Sequence, residues 1–134
     1  MTALRQTVLV AEDDALIRMV AADALADAGF QVLEAEHAEA ALVLLAAGAA
    51  SIHAIFTDIQ MPGTMNGLAL AHHARLHWPW IVLLVASGNM KPTVQDMPTG
   101  SDFLAKPYQP ACMIECIHHL LRQQPLADEL ALVL

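Results

Sequence analysis

Apolar positions along this chain fall into two alternating patterns. Short runs of β-branched and other apolar residues recur at Thr7–Ala11, Gln31–Ala35, His53–Thr57, Ile81–Val85 and Asp102–Ala105. The first, third and fourth are almost wholly apolar, as expected of parallel strands covered on both faces. Longer Ala- and Leu-rich stretches lie between them. The first, about 14–28, carries Ile17, Val20, Ala21, Ala24 and Ala28 at helical spacing and stops at Gly29, a natural C-terminal cap. The second spans about 38–47 and stops at Gly48; the third spans about 67–77, ahead of Trp78-Pro79. A last helix begins near Pro110, presents Met113, Ile114, Ile117, Leu120 and Leu121 on one face, and breaks before Pro125. The fourth helix position, about 89–99, holds Pro92, Pro98 and Gly100 and leaves room for little more than a turn or two. Strict alternation of strand and helix implies right-handed crossovers and an α/β fold, with a parallel sheet between two helix layers.

Composition adds exclusions. The length of 134 residues fits one compact domain, and 57% apolar with 15% charged residues excludes intrinsic disorder. A net charge of −8, with six scattered Lys and Arg, predicts no direct nucleic-acid partner. No secretory signal is read at the start, and the uncharged stretch Ala40–Ala50 is too short to span a bilayer. Two cysteines, Cys112 and Cys116, are too few for a disulfide framework, so the expectation is a cytoplasmic domain with reduced thiols and no membrane partner.

Candidate chemistry gathers where such sheets bind ligands, beyond the carboxyl ends of the strands. The first strand ends in Glu12-Asp13-Asp14, the third in Asp58, the fourth in Ser87-Gly88 and the fifth in Lys106-Pro107. Two carboxylates about 4 Å apart repel by about 4 kcal/mol at an effective dielectric near 20. A hard divalent cation with oxygen ligands relieves this, and Mg2+ commonly takes one or two carboxylates plus water and phosphate oxygens. Helix capping is the plainer reading for Asp14. Independent capping does not explain Asp13, Asp58 and a lysine at the fifth strand together.

This set resembles the receiver domain of two-component response regulators, over about residues 6–123. The stretches that carry the resemblance are Val8-Leu-Val-Ala-Glu-Asp-Asp-Ala-Leu-Ile-Arg18, Asp58-Ile-Gln-Met-Pro62 with Asn66-Gly67, Ala86-Ser87-Gly88, and Phe103-Leu-Ala-Lys106-Pro107. It implies a (βα)5, flavodoxin-like or CheY-like fold with a shortened fourth helix. It also implies a stand-alone receiver over 1–124 and a tail over 125–134 without an output domain. By the same resemblance, Asp58 accepts a phosphoryl group from a sensor histidine kinase or histidine phosphotransfer protein. Asp13 and Asp58 would ligate Mg2+, Glu12 would act through water, and the Gln60 main-chain carbonyl would complete the set. Lys106 would neutralise the transferring group, with its bond to Pro107 cis. Ser87 and Phe103 would be the switch residues, and the fourth helix, fifth strand and fifth helix the output face, open to a homodimer or an unknown target. The chain would then be a phosphoacceptor and no enzyme acting on external substrates.

Several features depart from the family pattern. Glu12 stands where aspartate is more frequent, and the loop Met61–Gly67 is one residue longer than usual, with Asn66 in place of aspartate. Gln60 and Asn89 lie where side chains steer a hydrolytic water. Two rivals belong to other classes: a degenerate receiver acting as a constitutive interaction module, and an aspartyl-phosphate-type phosphatase. The second wants an acid two residues after the nucleophile, where this chain has Gln60. His73 and His77, four apart on the third helix, admit a metal reading but lack a Cys or third ligand nearby and are read as solvated surface, like His118 and His119. Cys112 and Cys116 are read as packing or interface residues.

Overall fold

The computed structural model describes residues 5–88 and 91–123. Five parallel strands form one sheet: β1 (Thr7–Ala11), β2 (Gln31–Ala35), β3 (Ala54–Asp58), β4 (Val82–Ser87) and β5 (Asp102–Ala105), in the order β2-β1-β3-β4-β5. Four α-helices accompany them: α1 (Ala15–Asp27), α2 (Ala38–Gly48), α3 (Gly67–His77) and α4 (Pro110–Gln123). The expected strands and helices are all present, with β3 and β4 beginning one residue later than their apolar runs. The tail beyond 123 and Asn89 lie outside the described residues.

Local chemistry sets most boundaries. The Asp14 carboxylate caps α1, accepting from the Leu16 and Ile17 amides at 3.0 and 3.1 Å. Asn66 caps α3 through the Ala69 amide at 2.8 Å, so the asparagine in the usual aspartate position still performs the capping. Gly29 follows α1 with φ of 100°, as its capping role requires. Gly48 does not behave as expected. It stays within α2, and the chain continues into a 3-10 turn at Ala49–Ser51 rather than into a left-handed cap.

Side-chain alternation along the strands builds a core on each face. Val8, Val10, Phe56 and Leu84 meet Leu25 of α1 and Met113, Ile117 and Leu120 of α4. Leu9, Ile55, Leu83 and Val85 meet Ala41 and Leu45 of α2 and Leu70 and Ala74 of α3. The stripe expected on α1 is corrected. Ala21, Ala22 and Leu25 are its buried residues, while Ile17 and Val20 lie outward, 37% and 49% exposed. A helix whose first turns are apolar nearly all round gives no polar face from which to read its orientation. The fourth helix position contains a single 3-10 turn, Val94–Asp96, among the described residues. The output face inferred from the resemblance thus lacks its helical member there. No helix among the described residues is long and apolar enough to cross a membrane.

Candidate functional site: an acidic pocket at the carboxyl end of the sheet

Register delivers the polar residues to one rim. β1 pairs with β3 and β3 with β4, so Glu12 follows directly on Ala11 opposite Thr57, and Asp58 stands opposite Ala86. Ser87 pairs with Ala105, and its carbonyl accepts the Lys106 amide at 3.1 Å. Lys106 therefore enters the pocket from β5, where its ammonium lies 2.9 Å from Glu12 Oε1 and 3.2 Å from Asp58 Oδ2. The Lys106–Pro107 bond is cis, as expected. Arg18, from α1, donates to the Glu12 carbonyl at 2.8 Å and pairs with Glu34 at 3.3 Å, fastening the end of β1. Gly67 closes the far side of β3. Its amide donates to the Ile59 carbonyl at 2.8 Å, and any Cβ there would overlap the Asp58 carbonyl oxygen.

One oxygen each from Glu12, Asp13 and Asp58 fall within 4.8 Å of one another. Glu12 and Asp58 are buried, Asp13 exposed. Desolvation, with the neighbouring charge, pushes both buried carboxyls above their ordinary range, against the pull of Lys106. Burial alone would lower the Lys106 ammonium, yet its hydrogen bonds to Glu12 and Asp58 hold it above the usual lysine value. The Gln60 amide also donates to Asp58. Three carboxylates facing one lysine leave the pocket short of positive charge, and the donor set is hard oxygen throughout. Those are the ligands that suit Mg2+ and disfavour softer ions.

The family model of the response regulator receiver domain matches residues 8–118. The chain belongs to this family. Among curated relatives it is similar to the response regulator protein FleR of Pseudomonas aeruginosa, 33% identical over 91% of the chain and 26% of that protein. It is also similar to the phosphate regulon transcriptional regulatory protein PhoB of the same organism, 30% identical over 92% of the chain and 55% of that protein. The chain thus spans about a quarter to about half the length of these relatives. Among solved structures, a response regulator receiver protein from Sinorhizobium medicae superposes with a TM-score of 0.82 at 27% identity, covering 90% of this chain and 98% of that one. The receiver domain of the hybrid histidine kinase CckA superposes with a TM-score of 0.75 at 31% identity, covering 86% and 98%. Receiver domains generally bind Mg2+ at an acidic pocket, and the cluster of Glu12, Asp13 and Asp58 is the acidic pocket of this receiver.

The expected switch residues of this receiver occupy different places. Ser87 is buried at the pocket end of β4. Phe103 lies three residues before Lys106 but faces the other way, partly buried against the α2–α3 core and lining a surface depression with Pro92, Val94 and Met97.

Two features escaped the sequence reading. Tyr108 lines the acidic pocket, set edge-on to Phe56 with ring centroids 5.5 Å apart, and burial raises its phenol. Beside it runs an apolar groove of about 590 Å3 between the first turns of α1 and the β5–α4 connection, lined by Leu16, Ile17, Val20, Pro107, Tyr108 and Pro110. Both had signals in the chain: an aromatic two residues after the strand-end lysine, and adjacent apolar residues in the first turn of a capped helix.

Proposed function

We propose that this receiver is a phosphoacceptor: the Asp58 carboxylate takes a phosphoryl group from a phosphohistidine of a sensor kinase or phosphotransfer protein. The observation that carries this reading is the Lys106 ammonium held between Glu12 and Asp58 inside a nest of acids. An Asp58 oxygen forms the new O–P bond as the donor N–P bond breaks, and the imidazole leaves with the bonding pair. An ionised carboxylate needs no base for this, so the pocket's task is positioning and charge neutralisation. Asp13, Asp58 and the Gln60 carbonyl would hold Mg2+, with Glu12 acting through water. Bound there, the cation supplies charge compensation for the transferring oxygens. Lys106 compensates from the other side and is free to shift from Asp58 toward a phosphoryl oxygen while retaining Glu12. Ser87 supplies a hydroxyl to the phosphoryl group, and Phe103 repacks against the 91–101 segment.

The apolar groove beside Lys106 and Tyr108 suits docking of the phosphodonor, since it adjoins the pocket without blocking it. The chain acts in the cytoplasm by protein contact, as a response regulator or relay intermediate, and does not turn over external phosphoesters. The test is incubation with acetyl phosphate and Mg2+, followed by mass mapping of the acyl phosphate. One phosphoryl group on Asp58, lost in Asp58→Asn and without Mg2+, is the expected result. Equal labelling of the Asp58→Asn variant would overturn the assignment.

A further inference from the structure

A second candidate site lies on α3. His73 and His77 are one helical turn apart, and their ring centroids stand 4.2 Å from each other with the planes tilted by 40°. Trp78 walls both rings, at 5.7 Å from His73 and 5.8 Å from His77. His73 is partly buried and His77 exposed. Among the described residues neither imidazole has a hydrogen-bond partner, whereas the adjacent His72 is engaged with the Asp96 carbonyl at 2.6 Å.

We propose that His73 and His77 form a bidentate imidazole site for a borderline divalent ion such as Zn2+, Ni2+ or Cu2+. Histidines at i and i+4 present nitrogens on one helix face, the spacing that helical zinc motifs use. Two nitrogens on a tetrahedral ion at about 2.0–2.1 Å stand about 3.3 Å apart. Rings whose centroids lie 4.2 Å apart are close enough to turn one nitrogen each toward a common ion, and Trp78 borders both. Imidazole nitrogen selects these ions over Mg2+, and the oxygen-only acidic pocket has the opposite preference. The two sites are consequently orthogonal. No third Cys, His, Asp or Glu joins the pair among the described residues, so the remaining positions on the ion face solvent. The net charge of −8 favours cations at the surface generally, which is why the test must separate this pair from the rest.

Trp78 is the built-in reporter. The chain has two tryptophans, so Trp80→Phe leaves Trp78 as the only one. In that background, with Mg2+ saturating, Ni2+ is titrated at neutral pH while Trp78 fluorescence is followed. The expected result is a saturable one-site quench, reversed by competing Zn2+ and weakened at least tenfold in both His73→Gln and His77→Gln. His118→Gln and His119→Gln, on α4, leave it unchanged. Circular dichroism confirms that each variant is folded. Quenching of equal midpoint in His73→Gln or His77→Gln, or no saturable quench in the parent, would overturn the proposal.

Discussion

The carboxyl end of the sheet and its β4–β5 flank are built to different tolerances. At the carboxyl end, strand register fixes every polar group. Glu12, Asp58, Ser87 and Lys106 each occupy the last position of a strand or the next one, and Gly67 packs so closely on Asp58 that a Cβ there would overlap its carbonyl oxygen. On the flank, α4 seals one side of β4 and β5 with Met113 and Ile117. The other side is covered by residues 91–101 with one 3-10 turn, leaving Val94 92% exposed and Phe103 only partly buried. An edge strand tolerates a reduced covering because its neighbours still carry the core. Side chains that must converge on one ligand do not tolerate a shift of an ångström. The chemistry sits where the backbone is most constrained, and the departure from five helices sits where it is least.

The largest expected effect breaks the well-built part of the same face. Leu83→Ala, beneath α2 and α3, is expected to cost about 3–4 kcal/mol in urea denaturation, as a full cavity among packed neighbours does. Next, Gly67→Ala is expected to cost about 3 kcal/mol and to slow Asp58 phosphorylation, because its Cβ displaces the Asp58 carbonyl. A variant with wild-type phosphorylation would show that the loop yields instead.

Lys106→Met removes the cation between Glu12 and Asp58. It is expected to lower stability at neutral pH by about 1–2 kcal/mol, with Mg2+ recovering most of the loss in paired melts. The pH dependence follows from the same two carboxyls, both held above their ordinary values of 4.5 and 3.8 by burial first. Within that window the folded chain binds more protons than the unfolded chain, so this contribution to stability falls as pH rises through it. Mg2+ offsets the resulting repulsion. It is therefore expected to raise the Tm more at pH 7 than at pH 5, and an equal rise at both would separate the ion from Glu12 and Asp58. Lys106, held above 10.5, keeps its own contribution below that value and loses it only at higher pH. On the flank, Val94→Ser is expected to change stability by under about 0.5 kcal/mol. A larger loss would show that residues 91–101 carry more of the fold than their exposure indicates.

Legibility in the sequence followed the same division. The apolar runs located all five strands, and their polar end residues named Glu12, Asp58, Ser87 and Lys106 before any register was known. Pro92, Pro98 and Gly100 forecast the reduced fourth helix. Helix α1 was harder to orient, because Leu16, Ile17, Met19 and Val20 are apolar and yet exposed. Hydrophobicity reports burial only when a polar face offers contrast, and so the groove beside the pocket was not read. Tyr108 was missed for a related reason: its importance comes from its edge-on contact with Phe56 of β3, far away in the sequence.

The sequence by itself determined the alternation of elements, the α/β class and the residue types at each strand end, because these depend on local periodicity and on turn and cap chemistry. Only the tertiary structure decided that Lys106 bridges Glu12 and Asp58, 94 and 48 positions away, that Phe103 packs against the α2–α3 core rather than into the pocket, and that α1 turns its apolar first turns outward. Those outcomes depend on strand order and on the rotation of each helix about its axis. Both are set by the collective packing of the two cores, a property that no single stretch of chain contains.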